Sequence, residues 1–156
     1  MSKPKIKELE SVFFDAMNEG WASGAEHTTS PLLPGARIIE WNKGKYRVID
    51  CYYVNNCKSV GWTMIWYEGI PVWVMNYHGE YPTLVIPFLK RALMESYMAR
   101  QFFGGRGRAT YMEGPLCYFN NHADRTFEKF HGIERIFNTS TNESFGWHAY
   151  SGFTLI

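Results

Sequence analysis

Gly69-Ile70-Pro71-Val72-Trp73-Val74-Met75-Asn76-Tyr77-His78-Gly79 reads as a β-strand entered from a tight turn. Glu68-Gly69 supplies the turn, and Pro71 suits a strand's first residues, where its missing N–H is least needed. From Pro71 to His78 the side chains alternate between two faces. Trp73, Met75 and Tyr77 share one face; Val72, Val74, Asn76 and His78 share the other. Both faces begin apolar, which predicts a central strand covered on both sides. The strand turns polar at Asn76 and His78, and a buried Asn76 would need hydrogen-bond partners.

The same period of two extends towards the N-terminus. Strands are predicted at Arg37–Trp41, Tyr46–Val54 and Lys58–Tyr67, with turns at Asn42–Lys45 and Asn55–Asn56. Apolar-rich runs with turns at short, regular spacing make an antiparallel meander. Ahead of it, Ile6, Leu9, Val12, Phe13 and Ala16 recur at helical spacing, which predicts a helix over Ile6–Glu19 closed by Gly20. After it, Ile86, Leu89, Leu93 and Tyr97 form the stripe of a second helix, Thr83–Arg100, packed on the sheet. Further strands are predicted at Leu116–Asn120, Arg125–Phe130, Ile133–Phe137 and Phe145–Thr154, with turns at Asn121–Asp124 and Asn138–Glu143. Segments 20–36 and 102–114 are left as irregular loops. The fold class is α+β: a single domain with a mostly meander antiparallel sheet of about seven to eight strands and two main helices.

A length of 156 residues suits one hydrophobic core, and 46% hydrophobic with 20% charged residues is a globular balance. Aromatic residues, at 17%, are abundant. They supply a β-rich core and, where a pocket is left, stacking walls. A net charge of +1 gives no support for a nucleic-acid footprint. There is no apolar run of membrane-spanning length. The charged N-terminus, Met1-Ser2-Lys3-Pro4-Lys5, lacks the pattern of a signal peptide. Cys51, Cys57 and Cys117 are three thiols without metal-ligand spacing, and a reducing cytoplasm is their simplest setting. The five histidines form no metal motif, so neither metal nor cofactor is expected.

The run Gly69-x-Pro-Val-Trp-x-Met-Asn-Tyr-x-Gly79 resembles a bacterial domain family of unknown function. Some members of that family follow a Cro/repressor-type helix-turn-helix. Gly24-Ala-Glu-His27, Asp50-x-Tyr52, Phe130-x-Gly-x-Glu134-x-Ile136 and Tyr150-Ser-Gly152 are similar to its other segments, so the likeness spans residues 5–155. Two features differ: Tyr53-Val-Asn-Asn stands in place of a glycine-rich turn, and Ser151 in place of histidine. The resemblance implies a sensor or binding half, here without a DNA-binding module, and brings no established activity.

The candidate site follows from residue types. Asp50 is an acid on an otherwise apolar strand face, and is either salt-bridged to an Arg such as Arg37 or Arg47, or a general base or ligand anchor with a raised pKa. Trp62, Trp66, Trp73 and Tyr77 are the aromatic walls; Asn76, His78, Asp50 and Glu134 are convergent polar groups. Tyr150 is a further ligand contact. Arg106 and Arg108, within Gly104-Gly-Arg-Gly-Arg108, would close over a phosphate or carboxylate from a mobile loop. The leading reading is a module that binds a small molecule, nucleotide-like or otherwise planar and anionic. The alternatives are a small hydrolase or transferase using Asp50, His78 and Glu134, and a protein-interaction or dimerisation domain, with a homodimer as one such partner.

Overall fold

The computed structural model describes residues 3–156, with side chains throughout except at Asp124 and Arg125. Its helices are α1 (Ile6–Asn18) and α2 (Ile86–Ala99). The strands are β1 (Thr28–Ser30), β2 (Leu33–Lys43), β3 (Tyr46–Asn55), β4 (Lys58–Tyr67), β5 (Ile70–Glu80), β6 (Thr110–Glu113), β7 (Leu116–Thr126), β8 (Lys129–Asn138) and β9 (Ser144–Thr154). Among the described residues all nine strands form one antiparallel sheet, ordered β1-β2-β3-β4-β5-β9-β8-β7-β6. Two meanders, β1–β5 and β6–β9, therefore meet at a single seam between β5 and β9.

This is the expected α+β architecture with nine strands in place of seven or eight. The two short strands come from segments read as irregular. Residues 20–36 hold a 3₁₀ turn (Trp21–Ser23), β1 and the start of β2. Residues 102–114 end in β6. The turn expected at Asn121–Asp124 is strand: β7 runs through to Thr126, and the reversal lies at Phe127–Glu128. Turn-forming residue types at Asn121–Asp124 explain the misreading. Asn120, the last residue expected in the strand, is buried and its amide is fully engaged, donating to the carbonyls of Phe103 and Gly107 and accepting from Tyr150. The true turn hides an aromatic. Phe127 is buried, stacked on Trp73 at 4.8 Å, and its carbonyl accepts the Trp73 indole N–H at 2.9 Å.

Both helices cover one face of the sheet. Leu9, Val12 and Phe13 of α1 and Leu89, Leu93 and Tyr97 of α2 join Trp73, Ile65, Tyr118 and Ile136 from the strands in one core. A Phe13 ring 5.3 Å from Trp73 ties α1 to β5. Truncating either ring to alanine should destabilise by about 3–5 kcal/mol. Along β8, Phe130, Gly132, Glu134 and Ile136 all face the helices, as do Tyr150 and Gly152 of β9. Gly132 pairs with Tyr150 and Phe130 with Gly152, and each ring lies over the opposite glycine, where a Cβ would collide with it. A small residue opposite each large one lets two aromatic rings lie flat on adjacent strands.

The opposite face is more open. Val72 and Val74 are buried there, but Asn76 and His78 are exposed. The expectation that β5 is covered on both sides therefore holds only for its first half. Asn76 faces solvent and needs no buried partner. His78 packs edge-on against Trp147 at 5.8 Å.

Candidate functional site

A cavity of about 400 Å³ lies between the helix-covered face of the sheet and α2. Adjacent strands supply its floor. Asp50, Thr63 and Met75 stand side by side on β3, β4 and β5, followed by Tyr77. Leu89, Leu93 and Tyr97 of α2 form one wall, with Met17 of α1 and Trp21 next to them. Arg37, Asn56, Cys57 and Thr83, all exposed, lie at the mouth.

Asp50 is the polar centre of the floor. The Tyr77 hydroxyl donates to Asp50 Oδ1 at 2.6 Å and the Thr63 hydroxyl donates to the same oxygen at 3.0 Å. Both bonds converge on Oδ1, so Oδ2 carries none among the described residues. Burial pushes the Asp50 carboxyl above its ordinary pKa, opposed by the bonds from Tyr77 and Thr63 and by the charge of Arg106. The salt bridge considered for Asp50 does not form: Arg47 pairs with Glu40 on the outer side of the sheet. Burial also drives Tyr77 well above the usual phenol range, and the neighbouring Asp50 adds to this. Tyr77 is thus a fixed donor.

Arg106 forms one side of the cavity. Its Nη2 lies 2.7 Å from Glu134 Oε1 and its Nε lies 3.2 Å from Glu134 Oε2. Glu134 is fully buried and also accepts the Tyr118 hydroxyl at 2.6 Å. Burial opposes the charge on Glu134, but Arg106 outweighs it and the carboxyl sits below its ordinary pKa. The half-buried Asp50 and the fully buried Glu134 are thus driven in opposite directions, the pattern that separates acid–base roles in enzyme sites. The glycines around Arg106 account for its position. Gly105, at φ +75°, would bring a Cβ to 2.7 Å from Met75 Sδ, and a Cβ on Gly107 would lie 2.7 Å from the Tyr118 ring. Only glycine lets this backbone lie directly on the sheet. The segment read as a mobile surface loop is a buried one from Gly104 to Gly107.

His148, on β9, completes the cluster. Its Nδ1 is 3.3 Å from Arg106 Nη2 and its Nε2 is 2.9 Å from Ser59 Oγ. Burial, with the Arg106 charge beside it, lowers its pKa to about 4, so the ring is neutral at pH 7. A guanidinium only donates, so Nδ1 must accept, and the proton resides on Nε2. The ring therefore donates to Ser59. Ser59, His148 and Glu134 (3.7 Å from Nδ1) are arranged like a nucleophile–base–acid triad, but in the opposite tautomer. Ser59 is not activated as a nucleophile in this arrangement. The Tyr81 hydroxyl, also lining the cavity, is buried and makes no hydrogen bond within bonding geometry among the described residues.

Of the candidates drawn from sequence, Asp50, Tyr77 and Arg106 line the cavity. Glu134 and Tyr150 are buried next to it without lining it. Trp73 is core. Asn76, His78 and Trp62 lie on the other face of the sheet, and Trp66 is packed against Trp62 at 6.3 Å. His78 therefore cannot act with Asp50 or Glu134. Arg106 and Arg108 do not reach over a ligand as free cations, because they are ion-paired to Glu134 and Glu95. His148, Ser59, Thr63, Tyr81 and Tyr97 were missed. His148 shares a face with Tyr150, but only the β5–β9 pairing, with Gly79 opposite His148, brings it to the cavity. Among the described residues no group of His, Cys, Asp and Glu side chains is placed to hold a metal ion.

The floor residues Asp50, Thr63, Met75 and Tyr77, with Arg106 and His148 beside them, all lie within residues 50–153. That span matches the family described as Domain of unknown function (DUF5680). The chain belongs to this family. The DUF5680 match runs from Asp50 in β3 to Phe153 in β9, with α2 and the buried glycine-rich segment, and so includes Asp50, Tyr77, Arg106 and His148. Met17, Trp21 and Arg37 on the cavity's other side precede the matched residues. No curated protein and no solved structure matches the chain. No helix of the DUF5680 chain is long and apolar enough, among the described residues, to cross a membrane.

Proposed function

We propose that this chain is a small-molecule binding or sensing domain whose ligand occupies the cavity above Asp50. The observation that carries the reading is the open oxygen of Asp50. A half-buried carboxylate is anchored through one oxygen by Tyr77 and Thr63 and left with the other unpaired at the floor of a cavity. Such a carboxylate is costly to fold around unless it has a partner. The cavity's volume and its mixture of aromatic walls with a few polar groups are those of a ligand site. A sensory role also agrees with the resemblance to a bacterial family in which some members accompany a helix-turn-helix.

A hydrolase or transferase is the weaker reading. His78 lies outside the cavity, and the Ser59–His148 contact carries its proton in the wrong direction for a general base. The test of the binding reading is a thermal-shift and calorimetric screen of metabolites and nucleotides. A ligand at 100 times its Kd should add about 2.7 kcal/mol of stability, and Asp50→Asn should weaken the hit. A broad screen that moves neither the melting temperature nor Cys57 accessibility would remove the proposal.

A further inference from the structure

The distribution of charge around the cavity says more about the ligand than its volume does. Four groups matter in depth: Asp50, Arg106, Glu134 and His148. Arg106 and Glu134 neutralise each other through two hydrogen bonds, and His148 is occupied at both nitrogens. Asp50 is therefore the unmatched charge at the floor. Three tyrosines, Tyr77, Tyr52 and Tyr97, line the cavity with it, and aromatic rings are favourable neighbours for a cation.

The mouth has the opposite sign. Arg37 is exposed on β2, two residues beyond Ile39, the cross-strand partner of Asp50. That diagonal offset separates the two side-chain bases by roughly 7–8 Å. Lys90 of α2 lies 4.6 Å above the Trp21 ring. Both cations line the cavity, and neither forms an ion pair among the described residues.

From this arrangement we infer that the ligand is bipolar, with a basic nitrogen seated on Asp50 Oδ2 among the tyrosine rings and an acidic group held at the mouth by Arg37 and Lys90. The inference rests on the cavity being the ligand site, and it reverses the expectation of an anion clasped by Arg106 and Arg108. An ammonium donates to Oδ2 and supplies the charge partner that the fold withholds. An anion placed at the floor would meet that carboxylate at close range instead.

Four probes on one benzene frame separate the possibilities: benzylamine, benzyl alcohol, benzoate and the larger 4-(aminomethyl)benzoate. Their affinities are read by calorimetry, and their location by protection of Cys57, at the cavity mouth, from alkylation. Benzylamine should bind more tightly than benzyl alcohol or benzoate. D50N should weaken it about tenfold or more, the scale of a charge-assisted hydrogen bond, and leave benzyl alcohol nearly unchanged. The amide oxygen introduced by D50N can still accept from Tyr77 and Thr63, so the fold should survive. Should D50N not fold, the ranking of the four probes on the unmodified protein still decides. 4-(Aminomethyl)benzoate should bind more tightly than benzylamine, and R37Q/K90Q should abolish that gain. Benzoate binding as well as benzylamine with Cys57 protected, an indifferent D50N, or no gain from the added carboxylate would overturn the bipolar assignment while leaving the cavity as a ligand site. If none of the four binds at millimolar concentration, the inference and the ligand-site reading fall together.

Discussion

Replacing Arg106 with methionine tests the buried pair at the heart of the domain. The substitution retains much of the side chain's apolar volume and removes the charge. Glu134, with no exposed surface, would lose two of its three hydrogen bonds and keep only that from Tyr118. Breaking one half of a buried ion pair typically destabilises by about 3–5 kcal/mol, because the remaining charge is stranded. For a domain of this size that corresponds to a fall in Tm of roughly 6–20 °C. R106M/E134Q strands no charge. Its expected loss is that of a few neutral hydrogen bonds, about 1–3 kcal/mol, so the double variant should be more stable than R106M alone. Urea titrations of both single variants and the double give the coupling directly. NMR titration of His148 gives an independent reading: without the adjacent guanidinium its pKa should rise from about 4 towards its ordinary value. A double variant whose loss equals the sum of the two singles, with His148 unmoved, would show that Arg106, Glu134 and His148 do not act as one unit.

Three further outcomes follow from the same geometry. The unfolded chain takes up the His148 proton near pH 6.5 and the folded one only near pH 4. Stability should therefore be highest above pH 6.5 and decline by up to about 3 kcal/mol on acidification to pH 4; H148Q should flatten that slope in pH-dependent urea midpoints. Gly104→Ala would combine φ +75° with a Cβ 2.7 Å from the Tyr150 ring, whereas Gly44, at φ +59°, has nothing within 4 Å. G104A should lose about 2 kcal/mol or more and G44N nearly nothing by thermal melts; equal losses would show that close approach is irrelevant at Gly104. Cys57 is exposed while Cys51 and Cys117 are buried with pKa values raised by burial. A colorimetric thiol assay on the native protein should therefore count one fast thiol, and C57S should remove it.

Periodicity carried much of the fold. The stripe of α2, the first meander and the two-faced character of Pro71–His78 were readable because each is local. Parity also placed Asp50 and Tyr52 on one face, and Trp73, Met75 and Tyr77 on one face. What parity could not say is which face the helices cover. That choice sends Asn76 and His78 outward and Asp50 inward. Composition misled at Gly104–Arg108, where glycines read as mobility are there for contact, and at Asn121–Asp124, where turn-forming residue types continue β7. His148 was invisible because its partners, Ser59 and Arg106, lie far away in sequence. The alternating Phe-x-Gly-x-Glu and Tyr-x-Gly patterns did point to the right strands; their meaning, rings laid over opposite glycines, needed the β8–β9 register.

The single seam between the two meanders has a kinetic consequence. Every other strand pairing joins neighbours in the chain and can close as a hairpin on its own. The β5–β9 pairing, from Trp73↔Thr154 to Glu80↔Trp147, joins residues roughly half the chain apart, so its loop-closure entropy must be met before any seam contact rewards it. The expected order is two separately formed strand arrays and then a slower zipping of β5 to β9. Ser59 of β4 and His148 of β9 come together across that last-made junction. The cavity is thus completed only when folding is, and a chain stalled before zipping would hold both arrays yet have no site.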